Sequence, residues 1–272
     1  MTVLKNAVVL VTGAASGIGR LMALEAASRG ARLALVDRDE TGLERVRSEL
    51  EGRGQLAMTF PCDLRDRVAI QATFAEVEAA LGGVDVLINN AGVVGGKPLL
   101  EASPESIELT FQVNALAPIW TSRAALPGMI ARGRGHIVTL ASAGGLVGTT
   151  RLVDYCASKF AAVGFDDALR AELRRLGLPI QTTVVCPFFI DTGMFAGVKT
   201  RLPWLLPILR PEDVAARVIR AVELDRARLL MPWAVHLVTP LRILPVSWFD
   251  ALMRWLGVSM SMDDFTGRAG SR

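Results

Sequence analysis

The sequence predicts an α/β fold: one domain, built on a doubly wound parallel sheet with helices on both faces and a hydrophobic C-terminal helical extension. Two observations predict it. Seven short apolar runs alternate with helix-length amphipathic stretches along most of the chain, and strand–helix–strand repetition of this kind builds right-handed crossovers. Several of the runs are continuously apolar, as strands covered on both faces are.

The elements follow in order. Ala7–Val11, Arg32–Val36, Leu56–Phe60, Val84–Ile88, His136–Leu140, Ile180–Val185 and Leu229–Met231 read as strands. Ile18–Arg29, Thr41–Leu50, Val68–Leu81, Glu105–Ala131, Val153–Leu176 and Glu212–Leu224 carry apolar residues at helical spacing. We expect one domain over 1–272: a core over 5–190, a substrate-covering loop and helix over 191–225, and a last strand with a C-terminal cap over 226–272. The chain changes character after Asp191, where Trp204, Trp233, Trp248 and Trp255 and six prolines between Pro203 and Pro245 gather.

A chain of 272 residues, 51% hydrophobic with a mean hydropathy of +0.38, buries a sizeable core without disulfide staples. Its three cysteines, Cys62, Cys156 and Cys186, lack CxxC spacing, which gives neither a disulfide framework nor a metal site and favours a reducing compartment. No run has the 18 or more apolar residues of a spanning helix, and the chain enters its first strand without a signal-peptide pattern. The expectation is therefore a cytoplasmic protein without an N-terminal anchor. The formal net charge is +3 with no lysine-rich tract, which argues against nucleic acid as a partner.

The first strand runs into Thr12-Gly13-Ala14-Ala15-Ser16-Gly17-Ile18-Gly19, and a helix follows. Glycines at such a turn let the backbone approach a pyrophosphate, and the helix N-terminus supplies free N–H groups and a positive dipole end. This makes the fold Rossmann-type and implies a dinucleotide. Alone the motif is weak, and a tight turn without a ligand accounts for it as well. Asp37, 18 residues beyond Gly19 at the end of the second strand, is placed to accept hydrogen bonds from the adenosine ribose and to repel a 2′-phosphate. Arg38 beside it pulls the other way. Ser16 rather than a basic residue precedes Gly17, so NAD is favoured over NADP.

The single tyrosine, Tyr155, stands four residues before Lys159, one of four lysines. Positions i and i+4 share a helix face about 6 Å apart. A nearby ammonium lowers a phenol pKa that starts near 10, and bringing it to about 7 takes roughly 4 kcal/mol, within reach of a lysine and a cofactor cation acting together in a low-dielectric site. Ser142, just past the fifth strand, has a hydroxyl that can bond the reacting oxygen. Singly, each has a bland reading as a surface tyrosine, a solvated lysine and a turn serine. Their common placement at the ends of strands argues for chemistry.

With these residues the sequence resembles the short-chain dehydrogenase/reductase family. TGAASGIG matches the family's cofactor turn, Asn89–Gly92 (NNAG) its fourth-strand signature, and Ser142 with Tyr155-x-x-x-Lys159 its catalytic core. Asn114, in FQVNALA, matches the family's fourth catalytic residue, which implies a relay water held near Lys159. By the same resemblance Asp63 and Leu64 lie against adenine, Asn90 near the ribose, Lys159 on the nicotinamide ribose, and Ile190 and Thr192 at the carboxamide. Ala91, Gly92 and Pro187 count among the cofactor-binding residues as well. The family's usual Pro-Gly after the sixth strand is here Pro187-Phe188. The segments GRLMALE, HIVTLASAGG, YCASKFAAVGF, CPFFIDTGMF and RILP resemble the branch of retinol dehydrogenases and 17β-hydroxysteroid dehydrogenases, which implies a lipophilic alcohol or carbonyl substrate and a homodimer or homotetramer.

Two other classes were weighed. A hydrolase using Ser142 would need a histidine partner and a G-x-S-x-G elbow; the chain has His136 and His236 and no elbow. A non-catalytic dinucleotide sensor or scaffold could lose Ser142, Tyr155 or Lys159, and all three are present. Leu202, Trp204, Leu205, Leu206, Ile208 and Leu209 form a dense apolar set expected to act as a lid over the substrate. The late tryptophans with Arg242 and Arg254 fit core and oligomer packing, a lipophilic substrate tunnel or a peripheral membrane contact, the last two not excluding each other.

Overall fold

The structure, a computed structural model, describes residues 1–267. The expected cap over 226–272 therefore has its last five residues outside the described ones. Seven strands make one parallel sheet: β1 (Val8–Thr12), β2 (Arg32–Asp37), β3 (Ala57–Pro61), β4 (Val86–Asn89), β5 (Gly135–Leu140), β6 (Ile180–Pro187) and β7 (Arg228–Met231). Their order is β3-β2-β1-β4-β5-β6-β7. The strand order reverses between β1 and β4, which pair directly through Val9–Val86, Leu10–Leu87 and Val11–Ile88. At such a reversal the loops leaving the carboxyl ends part and open a crevice.

Alternation within the strands builds two cores. Val9, Val11, Leu33, Leu35, Val86 and Ile88 face α1 (Gly17–Ser28), α2 (Glu40–Glu51) and, further along the chain, α7 (Pro211–Glu223). Val8, Leu10, Ala34, Val36, Leu87 and Ile137 face α3 (Arg67–Leu81), α5 (Ala117–Arg132) and α6 (Val153–Arg175). A strand residue that is buried whichever way it points explains the unbroken apolar runs.

One expected helix is not regular. Glu105–Ala131 resolves into α4 (Pro104–Phe111), a π-turn over Gln112–Leu116, and α5. The sequence holds the cause. Pro118 has no N–H to give the Asn114 carbonyl four residues back, and the backbone widens so that Ala117 N–H reaches Gln112 O. The bulge places Asn114 inside the molecule, 1% exposed.

After β7 the chain forms two short helices, α8 (Val238–Leu241) and α9 (Val246–Trp255). Phe249 and Met253 turn inward against Leu206, Leu230 and Val235, whereas Trp248 and Trp255 face outward.

Candidate active site

Every residue of the expected site sits at or just beyond the carboxyl edge of the sheet. The turn after β1 is braced from β4. Thr12 Oγ1 donates to Ile88 O and accepts from the N–H groups of Asn90 (2.9 Å) and Ala91 (3.1 Å), while Asn90 Nδ2 donates to Thr12 O (2.9 Å) and Gly13 O (3.3 Å). Gly13 has a φ of +68°, and a Cβ there would stand 2.9 Å from the Ala91 Cα. A Cβ on Gly19 would overlap the Gly13 carbonyl. Only glycine lets the turn, the β4 loop and the first turn of α1 come this close.

Ser16 caps α1 in an extended conformation, and Ile18 packs back on the sheet. The carboxylate of Asp37 closes the opposite side, accepting from Ala15 N–H (3.1 Å) and Asp39 N–H (3.1 Å). Arg38 is exposed. Past β3, Asp63 is gripped by the Arg65 guanidinium, which holds its carboxyl below the usual carboxylate range; Leu64 is buried in the second core. Across the crevice from the turn, the Thr192 Cβ would be 3.8 Å from a Cβ on Gly17. Ile190 is buried and bridges to Leu209, and Pro187 ends β6. Phe188, where glycine was expected, gives its N–H to Met231 O (2.7 Å) and its ring to Phe189, so the departure is absorbed by β7 and an aromatic pair.

Tyr155 and Lys159 lie in the first turns of α6, 6% and 5% exposed. Lys159 Nζ donates to the Leu140 carbonyl at 2.7 Å and stands 5.7 Å from the Tyr155 ring centre. The Tyr155 ring and Ser142 Oγ face the same spot: a Cβ on Gly144 would stand 3.5 Å from the Tyr155 Cε1 and 3.4 Å from Ser142 Oγ. Ser142 Oγ also accepts from Gly144 N–H (3.0 Å), fixing its rotamer. Asn114 is bound on both sides: Oδ1 accepts from Val93 N–H (2.8 Å), and Nδ2 donates to Val93 O (2.9 Å) and Ser158 Oγ (3.1 Å). A Cβ on Gly92 would stand 3.3 Å from Asn114 Oδ1 and 3.7 Å from Lys159 Nζ, so these two groups converge on one point of the β4 loop.

Burial decides the electrostatics. It pulls the Lys159 ammonium down to about 8 and pushes the Tyr155 phenol above its ordinary value, with the Ser142 hydrogen bond opposing the second shift. The expectation that Lys159 lowers the phenol is not met by the protein groups alone. At 5.7 Å from the ring, with its proton directed at Leu140 O, the lysine does not overcome desolvation.

This is a tyrosine, a lysine, a serine and an asparagine assembled beside a glycine turn at a sheet's reversal. The sequence model of the short chain dehydrogenase family matches residues 7–202. The chain belongs to the short-chain dehydrogenases. Within that family it lies near the branch of retinol dehydrogenases and 17β-hydroxysteroid dehydrogenase 11. Epidermal retinol dehydrogenase 2 of Mus musculus is 40% identical over 264 residues, 96% of this chain and 85% of its own. Estradiol 17-beta-dehydrogenase 11 of Homo sapiens is 40% identical over 253 residues, 92% of this chain and 83% of its own. Among solved structures, a short-chain dehydrogenase/reductase from Burkholderia phymatum in complex with NAD superposes with a TM-score of 0.82 at 29% identity, over 89% of this chain and 95% of that one.

The expected lid set divides. Leu205 and Leu206 pack on the C-terminal cap and Trp204 is exposed, whereas Ile208 and Leu209 line a cavity with Phe189, Phe195 and Val198. The residues gathered at Tyr155 itself are Phe189, Phe195, Val198 and Met262, with Phe265 behind Phe195. Of the readings open for the late tryptophans, core packing is set aside, since Trp204, Trp233, Trp248 and Trp255 are all exposed. Sequence reasoning also passed over Thr12, Ser158 and the Leu140 carbonyl. Ser158, three residues after Tyr155, shares its helix face and could have been found from spacing; a backbone carbonyl leaves no sequence signal.

Proposed function

We propose that this short-chain dehydrogenase interconverts a lipophilic alcohol and its ketone or aldehyde with a nicotinamide dinucleotide, NAD in preference to NADP, and that Tyr155 is its acid/base. The observation that carries the reading is the convergence of Ser142, Tyr155, Lys159 and Asn114 around a glycine-lined crevice.

The crevice fits the dinucleotide. Gly13, Gly17 and Gly19 leave bare backbone where any Cβ would meet the β4 loop, Thr192 or the turn itself, and the N-terminus of α1 faces that space. Ser16, Gly17 and Ile18 would hold the pyrophosphate. Asp37 would take the adenosine ribose, with Arg38 at its edge and Asp63 and Leu64 beside the base. Asn90, Ala91 and Gly92 would line the second ribose, and Pro187, Ile190 and Thr192 the carboxamide. When bound, the dinucleotide supplies the hydride acceptor for oxidation, and a positive charge near the phenol.

In that direction the Tyr155 oxygen takes the hydroxyl proton of the alcohol while the carbon gives up hydride. Ser142 donates to the oxygen as its charge changes. Lys159, held by Leu140 O, would add its charge to that of the bound dinucleotide in stabilising the phenolate, and would reach the ribose. Asn114 holds Val93 and Ser158 so that the β4 loop and α6 keep their spacing, and it would hold a relay water near Lys159. The aromatic walls around Tyr155 support an apolar substrate, since a polar body there would lose its water without replacement bonds.

The exposed Trp233, Trp248 and Trp255 with Arg242 and Arg254 support a peripheral membrane contact, although no helix among the described residues is long and apolar enough to cross a membrane. The reaction is tested by following NADH formation across secondary alcohols, retinoids, steroids and long-chain primary alcohols. Turnover restricted to small polyols would overturn the substrate class.

A further inference from the structure

Tyr155 is closed off by aromatic side chains. The Phe195 ring meets it edge-on at 5.7 Å, Phe189 lies 5.1 Å from Phe195, and Phe265 lies 6.5 Å from Phe195 on the far side. Phe195 and Phe189 come from the loop after β6. Phe265 comes from the C-terminal end of the described chain, where Met262 is fully buried in the same cluster.

That C-terminal stretch is fastened to each wall of the site. In the loop entering α6, Thr149 Oγ1 donates to Val258 O (2.7 Å), Thr150 Oγ1 to Ser259 O, and Arg151 to Gly96 O and Asp263 O. Arg151 does so with a φ of +60°, a left-handed backbone that a branched side chain seldom adopts. On the β6 side, Thr266 N–H donates to Ala196 O (2.9 Å), and Lys199 pairs with Asp264 (2.8 Å). On the β4 side Gly96, at φ +69°, leaves open the space that the Phe265 ring fills; a Cβ there would overlap the ring. Gly197 makes the same allowance for the Asp264 carbonyl.

We propose that residues 257–266 form the substrate-selecting wall of the Tyr155 site, and that Phe265 sets its preference for long apolar substrates. The inference rests on the reading of Tyr155 as acid/base toward an alcohol. Phe195 lies edge-on against the Tyr155 ring with Phe265 behind it, so an alcohol that enters on this side parts Phe195 from Tyr155 and presses it toward Phe265. An apolar body restores the lost contacts, whereas a polar one leaves its own groups dry. Met262, fully buried, anchors the wall. Phe265, half-buried at the rim and held by bonds near the surface, is the part that yields.

The test is a series of primary alcohols from butanol to decanol, read both by kcat/KM and by the shift each alcohol produces in the thermal midpoint. Each added methylene covered by an apolar wall improves transfer by about fourfold. Wild type should therefore gain about two orders of magnitude in kcat/KM over four carbons. In Phe265→Ala that gain should shrink to tenfold or less, and the length dependence of the thermal shift should flatten with it. Gly96→Ala, which pushes the ring off its seat by another route, should do the same and carries the test if Phe265→Ala does not fold. Parallel profiles for wild type and variant, or an equal loss at every length, would overturn the proposal. If wild type turns over no alcohol yet shows length-dependent thermal shifts that Phe265→Ala abolishes, the reaction reading fails and the wall stands.

Discussion

The Lys159 ammonium stands 5.7 Å from the centre of the Tyr155 ring and spends a proton on the Leu140 carbonyl, so the lysine is anchored to β5 before it does anything for the phenol. Anchoring holds a cation, pulled down to about 8 by burial, at a fixed point of a dry site. Removing the charge while keeping the chain length should then cost chemistry more than fold. Lys159→Met should lower kcat/KM by two orders of magnitude or more with an unchanged far-UV spectrum. Retention of a third of wild-type activity would show that the lysine only fills space.

Asp37 offers its carboxylate at the end of β2 with both oxygens tied to backbone N–H groups, Ala15 and Asp39. A 2′-phosphate beside it is a like-charge contact in a partly dry place. The ratio of kcat/KM for NAD over NADP should exceed ten in wild type and fall toward unity in Asp37→Ala, where Arg38 is left to meet the phosphate. A wild-type ratio below one would make Arg38 the deciding residue.

His136 lies within β5, fully buried, with Nδ1 on Thr2 Oγ1 (2.9 Å) and Nε2 on Thr183 Oγ1 (2.8 Å). Burial, opposed by Asp225, pulls it down to about 4 from 6.5. The unfolded chain therefore binds the extra proton first, and stability drains as pH falls through 6.5 until the folded state protonates near 4. Between pH 7 and 5 this costs about 2 kcal/mol. Urea unfolding should show that loss in wild type and a smaller one in His136→Gln. Equal losses in the two proteins would assign the effect elsewhere.

The C-terminal helix α9 buries Phe249 and Met253 and turns Trp248 and Trp255 to water beside Arg254. Co-sedimentation with vesicles of mixed neutral and anionic lipid should retain wild type and release Trp248→Ala/Trp255→Ala, more so in high salt. Wild type left wholly in the supernatant would assign these rings to contact with protein.

The strands and most helices were legible because burial on both faces of a parallel sheet leaves continuous apolar runs; β2, for example, differs from its expected span only by Asp37. The glycine turn and the Tyr155–Lys159 pair were legible because their spacing is local. The π-turn at Asn114 was missed because helical periodicity passes through it, although Pro118 held the cause. Where each lid residue packs was not legible, because an apolar composition says what a segment buries and not against what: Leu206 meets Phe249 and Met253, while Ile208 and Leu209 line the cavity beside Phe195. Phe265 reaches Gly96 across more than 160 residues of sequence, a contact that no window of the sequence encodes.

The central claim is that the Tyr155 oxygen carries the proton. Single-turnover NADH formation by wild type and Tyr155→Phe, beside NADH binding by fluorescence titration, tests it most directly. The account predicts a fall of at least three orders of magnitude in rate with NADH affinity within threefold of wild type. A Tyr155→Phe rate above a tenth of the wild-type value, with affinity unchanged, would contradict it.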